Sequence, residues 1–538
     1  MVSNSTMETI KGSFSFIITI MLCVSLVTSQ SPTEKFLQCL SLHSQSSKPP
    51  ISEVIYTPDN TSSFTSILNL HVHNNRFKTE TTPKPLAIVT AKNESHAQAT
   101  VTCAKSNSIQ IRIRSGGHDY EGLSYISDIP YVILDLFPLQ SVDVDISCGT
   151  AWVEAGATLG QIYYSIGKKS KVHAFPAGVC TSLGSGGHFS GGGYGNLMRK
   201  YGLSADNIID ARLVDANGKI LDRKSMGEEM FWAIRGGGGA SFGVILAWKI
   251  KFVSVPEEIT AFRVKKTLEE GAADIVYKWQ LVAPKLHEDL FIRLQHDAVN
   301  GTIQVSFIGQ FLGQSNALLP LVNKSFPELG LKQSDCIQMP WVNSTLFWNE
   351  IPTDTPLETL LPQAKEPPTL YFKSKSDYVK DPIPKEALQP MWDFMIKANN
   401  NIRMQWNPYG GKMAQISASD TPFPHRAGNL FLIQYFVYWF EDGAEITDHF
   451  LNYTRSFYEF MTPYVSNSPR ETFLNYRDID IGAKHTSNGT VFDQARIYGS
   501  KYFKQNFERL VFVKTKVDPD NFFSYEQSIP TRIYWAKN

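Results

Sequence analysis

Apolar positions in the first part of the chain repeat in two different ways and predict a β-α-β start. Leu86 to Thr90 is a short apolar run, which is typical of a strand. Asn93 can cap a helix, and apolar side chains then recur at helical spacing over residues 97–104. From Ile109 to Ile113 apolar and polar residues alternate, as they do in a half-buried strand.

The same patterns predict a hairpin and a capped helix further along the chain. Asn217-Gly218 is a tight-turn dipeptide between two apolar runs, which would pair as a hairpin. Thr158 suits the N-cap of a helix whose apolar positions over residues 159–166 share one face. The predicted strands of this part are Tyr131–Leu136, Trp152–Ala155, Ile209–Val214, Lys219–Leu221 and Val244–Ile250.

The pattern changes near residue 255 and again near residue 472. A chain of 538 residues is long enough for several cores, so we predict a first domain at 30–255, a second at 256–471 and a C-terminal segment at 472–538. In the C-terminal segment, apolar residues at helical spacing from Phe503 to Val511 predict one helix, which Asp518-Pro519 ends. The long strands predicted in the second domain are Asp289–Leu294, Thr302–Phe311 and Asn429–Trp439.

The N-terminus has the features of a secretory signal. Lys11 precedes an apolar run from Phe14 to Val27, which is short for a membrane span. We therefore predict a cleaved signal peptide at 1–29, with an uncleaved anchor as the alternative. No later stretch has the roughly 18 continuous apolar residues of a span, and a formal net charge of zero gives no sign of a nucleic-acid partner.

Glycosylation motifs and cysteines agree with the secretory pathway. Once Cys23 is removed with the signal, five cysteines remain, so at least one lacks an intramolecular disulfide partner. Cys180 is the candidate for another role, and a buried free thiol is the alternative. The sequence has neither Cys-x-x-Cys nor His-Glu-x-x-His, which argues against a zinc site. The Asn-x-Ser/Thr motifs that follow the predicted signal are at Asn60, Asn93, Asn300, Asn323, Asn343, Asn452 and Asn488.

Two glycine-rich turns carry nucleophilic side chains. His118 lies in residues 114–120, Cys180 in residues 177–188, and a third glycine-rich turn follows at 235–243. Exposed backbone N–H groups in such turns bind anions such as a pyrophosphate, which favours a dinucleotide cofactor. A Rossmann site does not fit, because no clear apolar strand precedes Gly184. The alternative is a set of tight turns in a β-rich domain.

Longer motifs resemble one family. The turns around His118 and Cys180, the glycine run at 191–195 and the block at 231–238 are similar to those of the plant berberine bridge enzyme-like family. Four more segments in the second half match in the same order, and the resemblance covers about Phe36 to Thr531. These four segments are Asn407–Met413, Thr421–Arg426, Asn475–Asp478 and Asp518–Phe523.

The resemblance implies an α+β fold and a bound FAD. The first domain would be a PCMH-type FAD-binding domain, and the second an α/β substrate domain with an antiparallel sheet covered by helices. The C-terminal segment would return to the FAD domain. In this family the flavin is often attached twice, which here implies bonds from His118 and Cys180, and a disulfide joins Cys39 to Cys103. The other residues implied to bind FAD are Ser115, Gly116, Gly117, Gly184, Gly186, Gly187, His188, Gly192, Asn475 and Tyr476.

Three tyrosines and a glutamine match active-site positions of the family. A flavin oxidation needs a hydride acceptor and a base for the substrate proton. Tyr476 is the candidate base, with Tyr120 and Tyr194 beside it, although ordinary aromatic packing is the alternative for each. Because a free tyrosine has a pKa near 10, its pKa must be perturbed for this role. Gln434 stands where some members carry a glutamate base, and an amide can only form hydrogen bonds.

Two leucines distinguish this chain within the family. Monolignol-oxidising members have a lysine where this chain has Leu432, which argues against a monolignol substrate. Either another cation, such as Lys412 or Arg293, stabilises a tyrosinate, or the base mechanism differs. Leu183 matches the position that gates oxygen access to the flavin, and leucine resembles the closed type. We therefore expect slow reaction with oxygen. Oxygen entering elsewhere is the alternative.

These observations predict a secreted, FAD-dependent oxidoreductase, monomeric and located outside the cell or in the vacuole. Its substrate would be a small molecule, such as a phenylpropanoid alcohol, a carbohydrate or a specialised metabolite. Two other classes remain: a cyclase or cycloaddition enzyme with a non-redox flavin, and a binding or storage glycoprotein with a silent flavin.

Overall fold

The first part of the chain forms two main sheets. The computed structural model describes residues 31–43, 48–362, 370–398, 401–484 and 490–532. The predicted signal peptide and Asn488 lie outside this part. Within it, none of the helices combines the length and the apolar character that crossing a membrane would need.

A four-stranded sheet confirms the predicted β-α-β start. Its order is β1-β2-β4-β3, and β2, β4 and β3 run parallel. The helix Glu94–Ser106 connects β2 to β3, and Asn93 caps it by accepting a hydrogen bond from the His96 N–H. The strands are β1 (Ile55–Tyr56), β2 (Ala87–Thr90), β3 (Gln110–Arg114) and β4 (Tyr131–Asp135).

A five-stranded antiparallel sheet contains the predicted hairpin. Its order is β5-β6-β10-β8-β9, and β8 and β9 pair across the Asn217-Gly218 turn. Thr158 caps the helix Leu159–Lys169 in a capping box with Gln161. The strands are β5 (Val142–Asp145), β6 (Thr150–Glu154), β8 (Ile208–Val214), β9 (Ile220–Leu221) and β10 (Val244–Lys251), while β7 (His173–Ala174) pairs with β11 (Val253–Ser254).

The second part is built on a seven-stranded antiparallel sheet, in the order β15-β12-β14-β13-β17-β18-β16. One face packs against three helices, Ala272–Val282, Lys385–Lys397 and Ala444–Phe460, in an apolar core. The other face turns towards the first part of the chain. The strands are β12 (Ile259–Thr267), β13 (Leu290–Val299), β14 (Thr302–Phe311), β15 (Cys336–Met339), β16 (Tyr371–Val379), β17 (Ile402–Pro408) and β18 (Phe431–Trp439).

The C-terminal segment packs its helices into the core of the first part. The prediction of one helix through Phe503 and Phe507 is wrong, because two helices, Val491–Phe503 and Asn506–Val517, meet at Lys504. Lys504 has a φ of +51°, which ends the first helix. The remaining helices are Pro32–His43, Thr61–Leu70, Ser185–Ser190, Met198–Tyr201, Arg223–Ile234, Ser315–Ser325, Trp341–Trp348 and Lys412–Gln415.

A disulfide joins Cys39 to Cys103, as the resemblance implies, and ties the helix Pro32–His43 to the helix that follows β2. Limiting the unfolded chain over a separation of 64 residues stabilises the fold by about 4 kcal/mol in the chain-entropy account. Cys148, Cys180 and Cys336 are free thiols.

The exposure of the glycosylation motifs predicts which of them carry glycans. Asn60, Asn300, Asn323 and Asn452 are exposed. Asn93 and Asn343 are half-buried, and each Nδ2 already donates to a backbone carbonyl, of Lys48 and Thr353 respectively. We expect glycans at the four exposed sites and little or none at the other two. Glycopeptide mass spectrometry of protein from a secretory host checks this, and full occupancy at Asn93 would contradict it.

Candidate active site

A cavity of about 600 Å³ lies between the glycine-rich turns and the open face of the seven-stranded sheet. Its walls come from stretches of chain that are distant in sequence. The turns around His118 and Cys180 form one wall, the strands β13, β17 and β18 form another, and residues 473–477 form a third. Residues of the third glycine-rich turn, residues 348–350 and Tyr525 also line the cavity.

The two glycine turns pack directly against each other. A Cβ at Gly116 would lie 2.5 Å from the Gly184 nitrogen, and a Cβ at Gly184 would lie 2.2 Å from Ser115 Oγ. Neither position has room for a side chain, so glycine is required for this approach. The contact brings the His118 turn and the Cys180 turn to the same side of the cavity.

His118 and Cys180 share one neighbour, Ser182. The Ser182 hydroxyl lies 3.1 Å from His118 Nε2 and 3.4 Å from Cys180 Sγ. The ring of His73 stacks on the His118 ring with centroids 3.7 Å apart. His118 keeps part of its surface open to the cavity, yet burial is the main cause that holds its pKa well below the usual range, followed by the charge of His73. The imidazole is therefore neutral and nucleophilic at neutral pH.

The glycine turns fit a flat cofactor. Gly187 lines the cavity and has only open space where its Cβ would be, so a ligand can approach the backbone there. The residues predicted to bind FAD all line the cavity, with the exception of Gly192. It is not among the described residues that line the cavity, and its missing Cβ faces the ring of Phe423.

The Asn475-Tyr476 segment is fixed against the glycine run. Asn475 donates a hydrogen bond of 2.8 Å to the His188 carbonyl. A Cβ at Gly191 would lie 1.6 Å from Asn475 Oδ1, so this glycine provides the space for the asparagine. The contact sets where the next residue, Tyr476, enters the cavity.

The structure brings the four predicted catalytic side chains together. The hydroxyls of Tyr194 and Tyr476 form a short hydrogen bond. Gln434 donates a hydrogen bond of 3.0 Å to the Tyr120 hydroxyl. The rings of Tyr120 and Tyr476 meet edge to face, with centroids 5.8 Å apart. All four side chains line the cavity.

Arg293 is the cation whose positive charge opposes the rise that burial causes in the pKa of Tyr194 and Tyr476. Burial, and then the neighbouring tyrosines, raise the pKa of Tyr476 well above its usual value, and the positive charge of Arg293 opposes this rise. Arg293 lies on β13, and its Nε donates to Asn407 Oδ1 at 2.6 Å. Asn407 pairs in register with Leu432, so Arg293 is two strands from the position where the family lysine would be. Lys412 is not among the described residues that line the cavity.

Apart from Gln434 and Arg293, the polar residues of the sheet face were not predicted from the sequence. Gln295, Gln405 and Gln434 lie side by side on three neighbouring strands and face the cavity. Arg263 and Arg403 lie near them and also line the cavity. Polar residues in alternate positions of otherwise apolar strands were a signal that could have identified this face.

Leu183 lies in the cavity wall beside the Cys180 turn and is half-buried. Its carbonyl accepts a hydrogen bond of 2.9 Å from the Leu159 N–H, which fixes the backbone at this point. Its role in oxygen access stays a prediction.

Comparison with known proteins agrees with the site. Residues 85–223 match the family model of an FAD binding domain, and residues 472–530 match that of berberine and berberine-like proteins. Berberine bridge enzyme-like 4 of Arabidopsis thaliana is 54% identical over 97% of this chain and 99% of its own length.

Two solved structures share the whole fold. BBE-like #28 from Arabidopsis thaliana is 47% identical, with a TM-score of 0.88 over 93% of this chain and 100% of that chain. Phl p 4, a grass pollen allergen with glucose dehydrogenase activity, is 43% identical, with a TM-score of 0.87 over the same shares. The cavity, the glycine turns and these matches together show that the chain belongs to the berberine bridge enzyme-like family of FAD-linked oxidoreductases.

Proposed function

We propose that this enzyme oxidises a hydroxyl-bearing carbon of a carbohydrate, with FAD attached at His118 and Cys180. The observation that carries the substrate class is the row of three glutamines on the cavity face of the sheet. FAD supplies the hydride acceptor when it is bound. The chain's own residues bind the sugar, hold its hydroxyls and receive the proton.

The glutamine row suits a ligand with several hydroxyl groups. Each side-chain amide carries donors and an acceptor, and part of this capacity is used within the protein. Gln405 Nε2 lies 3.3 Å from Gln295 Oε1, and Gln295 Nε2 donates to Asp297 Oδ2 at 2.9 Å. A hydroxyl group both donates and accepts, so neighbouring hydroxyls of one sugar ring match such a row. An aromatic alcohol carries fewer hydroxyl groups than a sugar and would form hydrogen bonds with fewer of these amides.

The ion pairs at the edge of the cavity add fixed polar groups. Arg403 pairs with Asp297 at 2.8 Å, and Arg263 pairs with Glu350 at 2.6 Å. Paired charges hold each other in place, so these groups are pre-oriented for hydrogen bonds to a polar ligand. The glucose dehydrogenase activity named for Phl p 4 supports a sugar, since that protein shares the fold.

Tyr476 is the residue that we propose as the base. Its hydroxyl is hydrogen-bonded to that of Tyr194, so a proton taken from the substrate can be shared between the two oxygens. The positive charge of Arg293 favours the tyrosinate form of both residues. Arg293 thereby fills the role of the lysine that is replaced by Leu432.

An aromatic alcohol is the second candidate substrate. Phe436, Trp348 and Phe473 also line the cavity and offer ring faces for stacking. Entry into the secretory pathway forms part of the proposal for either substrate, and the disulfide and the exposed glycosylation motifs support it.

The attachment is tested by acid denaturation. We expect the yellow colour to stay with the precipitated protein and with each single variant, His118→Ala and Cys180→Ala, but to be released from the double variant. Cys148→Ala, which removes an exposed free thiol outside the cavity, is the control and should retain both bonds. Release of the flavin from the wild-type protein would contradict the attachment.

The substrate class is tested by mixing the enzyme anaerobically with panels of sugars and aromatic alcohols. We expect sugars to bleach the flavin. Gln405→Leu should raise the sugar concentration needed for half-maximal bleaching about tenfold, because hydrogen bonds worth about 1.4 kcal/mol are lost. Bleaching by aromatic alcohols alone would favour the second candidate, and no bleaching by either panel would favour a non-redox flavin.

The role of Arg293 is tested by the pH dependence of anaerobic flavin reduction. Removing its charge in Arg293→Met should raise the pKa of Tyr476 further. Reduction should then slow about tenfold at neutral pH, and the pH at which reduction becomes faster should move upward. Arg293→Lys keeps the charge and should retain the wild-type profile. Identical profiles for all three proteins would show that Arg293 has no electrostatic role.

A further inference from the structure

Two tripeptides that are distant in sequence carry Tyr120 and Tyr476, whose rings meet in the cavity. Asp119-Tyr120-Glu121 belongs to the His118 turn, and Tyr476-Arg477-Asp478 belongs to the C-terminal segment. In both tripeptides, charged residues accompany the tyrosine. Ion pairs connect these charged residues, one pair directly and another through Lys373, and we call this network the ionic clasp.

The outer half of the clasp is a direct pair. Arg477 Nε donates a hydrogen bond of 2.8 Å to Asp119 Oδ2, and each side chain is only 13% exposed. The other oxygen of Asp119 accepts the backbone N–H of Glu121 at 3.0 Å. The same carboxylate therefore shapes the backbone on the far side of Tyr120.

The inner half of the clasp is a bridge through Lys373 of the edge strand β16. The ammonium group of Lys373 contacts the Glu121 carboxylate and donates to Asp478 Oδ1 at 2.7 Å. All three side chains are buried. Lys375, on the same strand, donates to the other oxygen of Asp478 at 2.6 Å.

In the inner half of the clasp, buried groups of opposite charge lie close together. Burial lowers the pKa of Lys373, but Glu121, Asp478 and Asp480 more than reverse this and raise it above the ordinary value. The ammonium is therefore charged at neutral pH. A buried ammonium needs several oriented acceptors, so its position is fixed by the carboxylates of both tripeptides.

We propose that the ionic clasp, and Lys373 in particular, positions Tyr120 against Tyr476 for catalysis. Lys373, Glu121 and Asp478 touch neither the cavity nor the tyrosine hydroxyls, so they are positioning residues. The proposal rests on the proposed function, in which these tyrosines act on the substrate. The two hydroxyls belong to different parts of the fold, and a displacement of about 1 Å can cost about a hundredfold in rate.

The clasp also connects the tyrosines to the substrate face of the sheet. β16 pairs with β18 along its full length, with Ser376 opposite Gln434. Gln434 Nε2 lies 3.4 Å from Ser374 Oγ, the residue between the two lysines. The strand β16 therefore contacts both the tyrosine-bearing tripeptides, through Lys373, and the strand of Gln434, through backbone pairing.

The test compares Glu121→Gln, Lys373→Met and the double variant, each loaded with flavin. Each single change unbalances the buried cluster by one charge, although partners remain: Lys373 keeps Asp478 and Asp480, and Glu121 keeps Arg76 at 3.6 Å. The double variant removes one charge of each sign. We expect both single variants to lose thermal stability and to reduce their flavin at least tenfold more slowly at saturating sugar. The sugar concentration for half-maximal rate should stay within about twofold, since the binding face is intact.

The double variant separates positioning from stability. If the clasp positions the tyrosines, the double variant should regain stability but still reduce its flavin at least tenfold more slowly than wild type. If the ions only stabilise the fold, rate and stability should recover together, and that result would overturn the proposal. Asp518→Asn is the control, because it breaks the fully buried Lys514–Asp518 pair away from the cavity and should lower stability without changing the rate.

A second readout does not depend on turnover. With 3-fluorotyrosine at position 476, the wild-type protein should give one narrow ¹⁹F resonance, and Glu121→Gln and the double variant should give broadened or multiple resonances. One narrow, unshifted resonance in both variants would overturn the proposal. If no sugar or alcohol bleaches the wild-type flavin, the proposed function fails, and these spectra still decide whether the clasp holds Tyr476.

Discussion

The cavity depends on segments of backbone that approach more closely than any side chain allows. Gly116 and Gly184 meet where a Cβ on either would clash, and Gly191 leaves room for Asn475 at a distance that excludes a Cβ. These contacts bring His118, Cys180 and Tyr476 to one cavity from three places in the sequence. The glycines therefore join segments of the protein as well as exposing backbone to a cofactor. A side chain at any of these three glycine positions would push apart backbone segments that are in contact.

Buried ion pairs also hold these segments together. A buried lysine is unfavourable unless carboxylates surround it, and removing one partner of such a network typically costs about 3–5 kcal/mol. Here the ammonium group of Lys373 pairs with carboxylates from both tyrosine-bearing segments. Movement of either segment would therefore weaken a buried ion pair. The polar face of β13, β17 and β18 lines the same cavity as the hydroxyls of Tyr120, Tyr194 and Tyr476.

Local patterns predicted much of the fold because they depend on neighbours in sequence. The Asn217-Gly218 hairpin, the capped helix after Thr158 and the β-α-β start all follow from turn chemistry, capping and periodicity. The helix break at Lys504 was missed, since a left-handed lysine has no local signature and apolar spacing continues across it. In the site, family motifs indicated the four side chains that we propose as catalytic, and Arg293 was one of two candidate cations. The choice between those cations, the rest of the glutamine row and the clasp depend on strand register and distant segments, which one sequence does not reveal.

The most direct test of this account is a crystal structure of the flavin-loaded enzyme with a non-oxidisable sugar analogue. We expect continuous electron density from the flavin to both His118 and Cys180. We also expect one sugar hydroxyl within hydrogen-bond distance of Tyr476 and others on the amides of Gln295, Gln405 and Gln434. Density that ends before either attachment residue, or an analogue bound away from the glutamine row, would contradict the account.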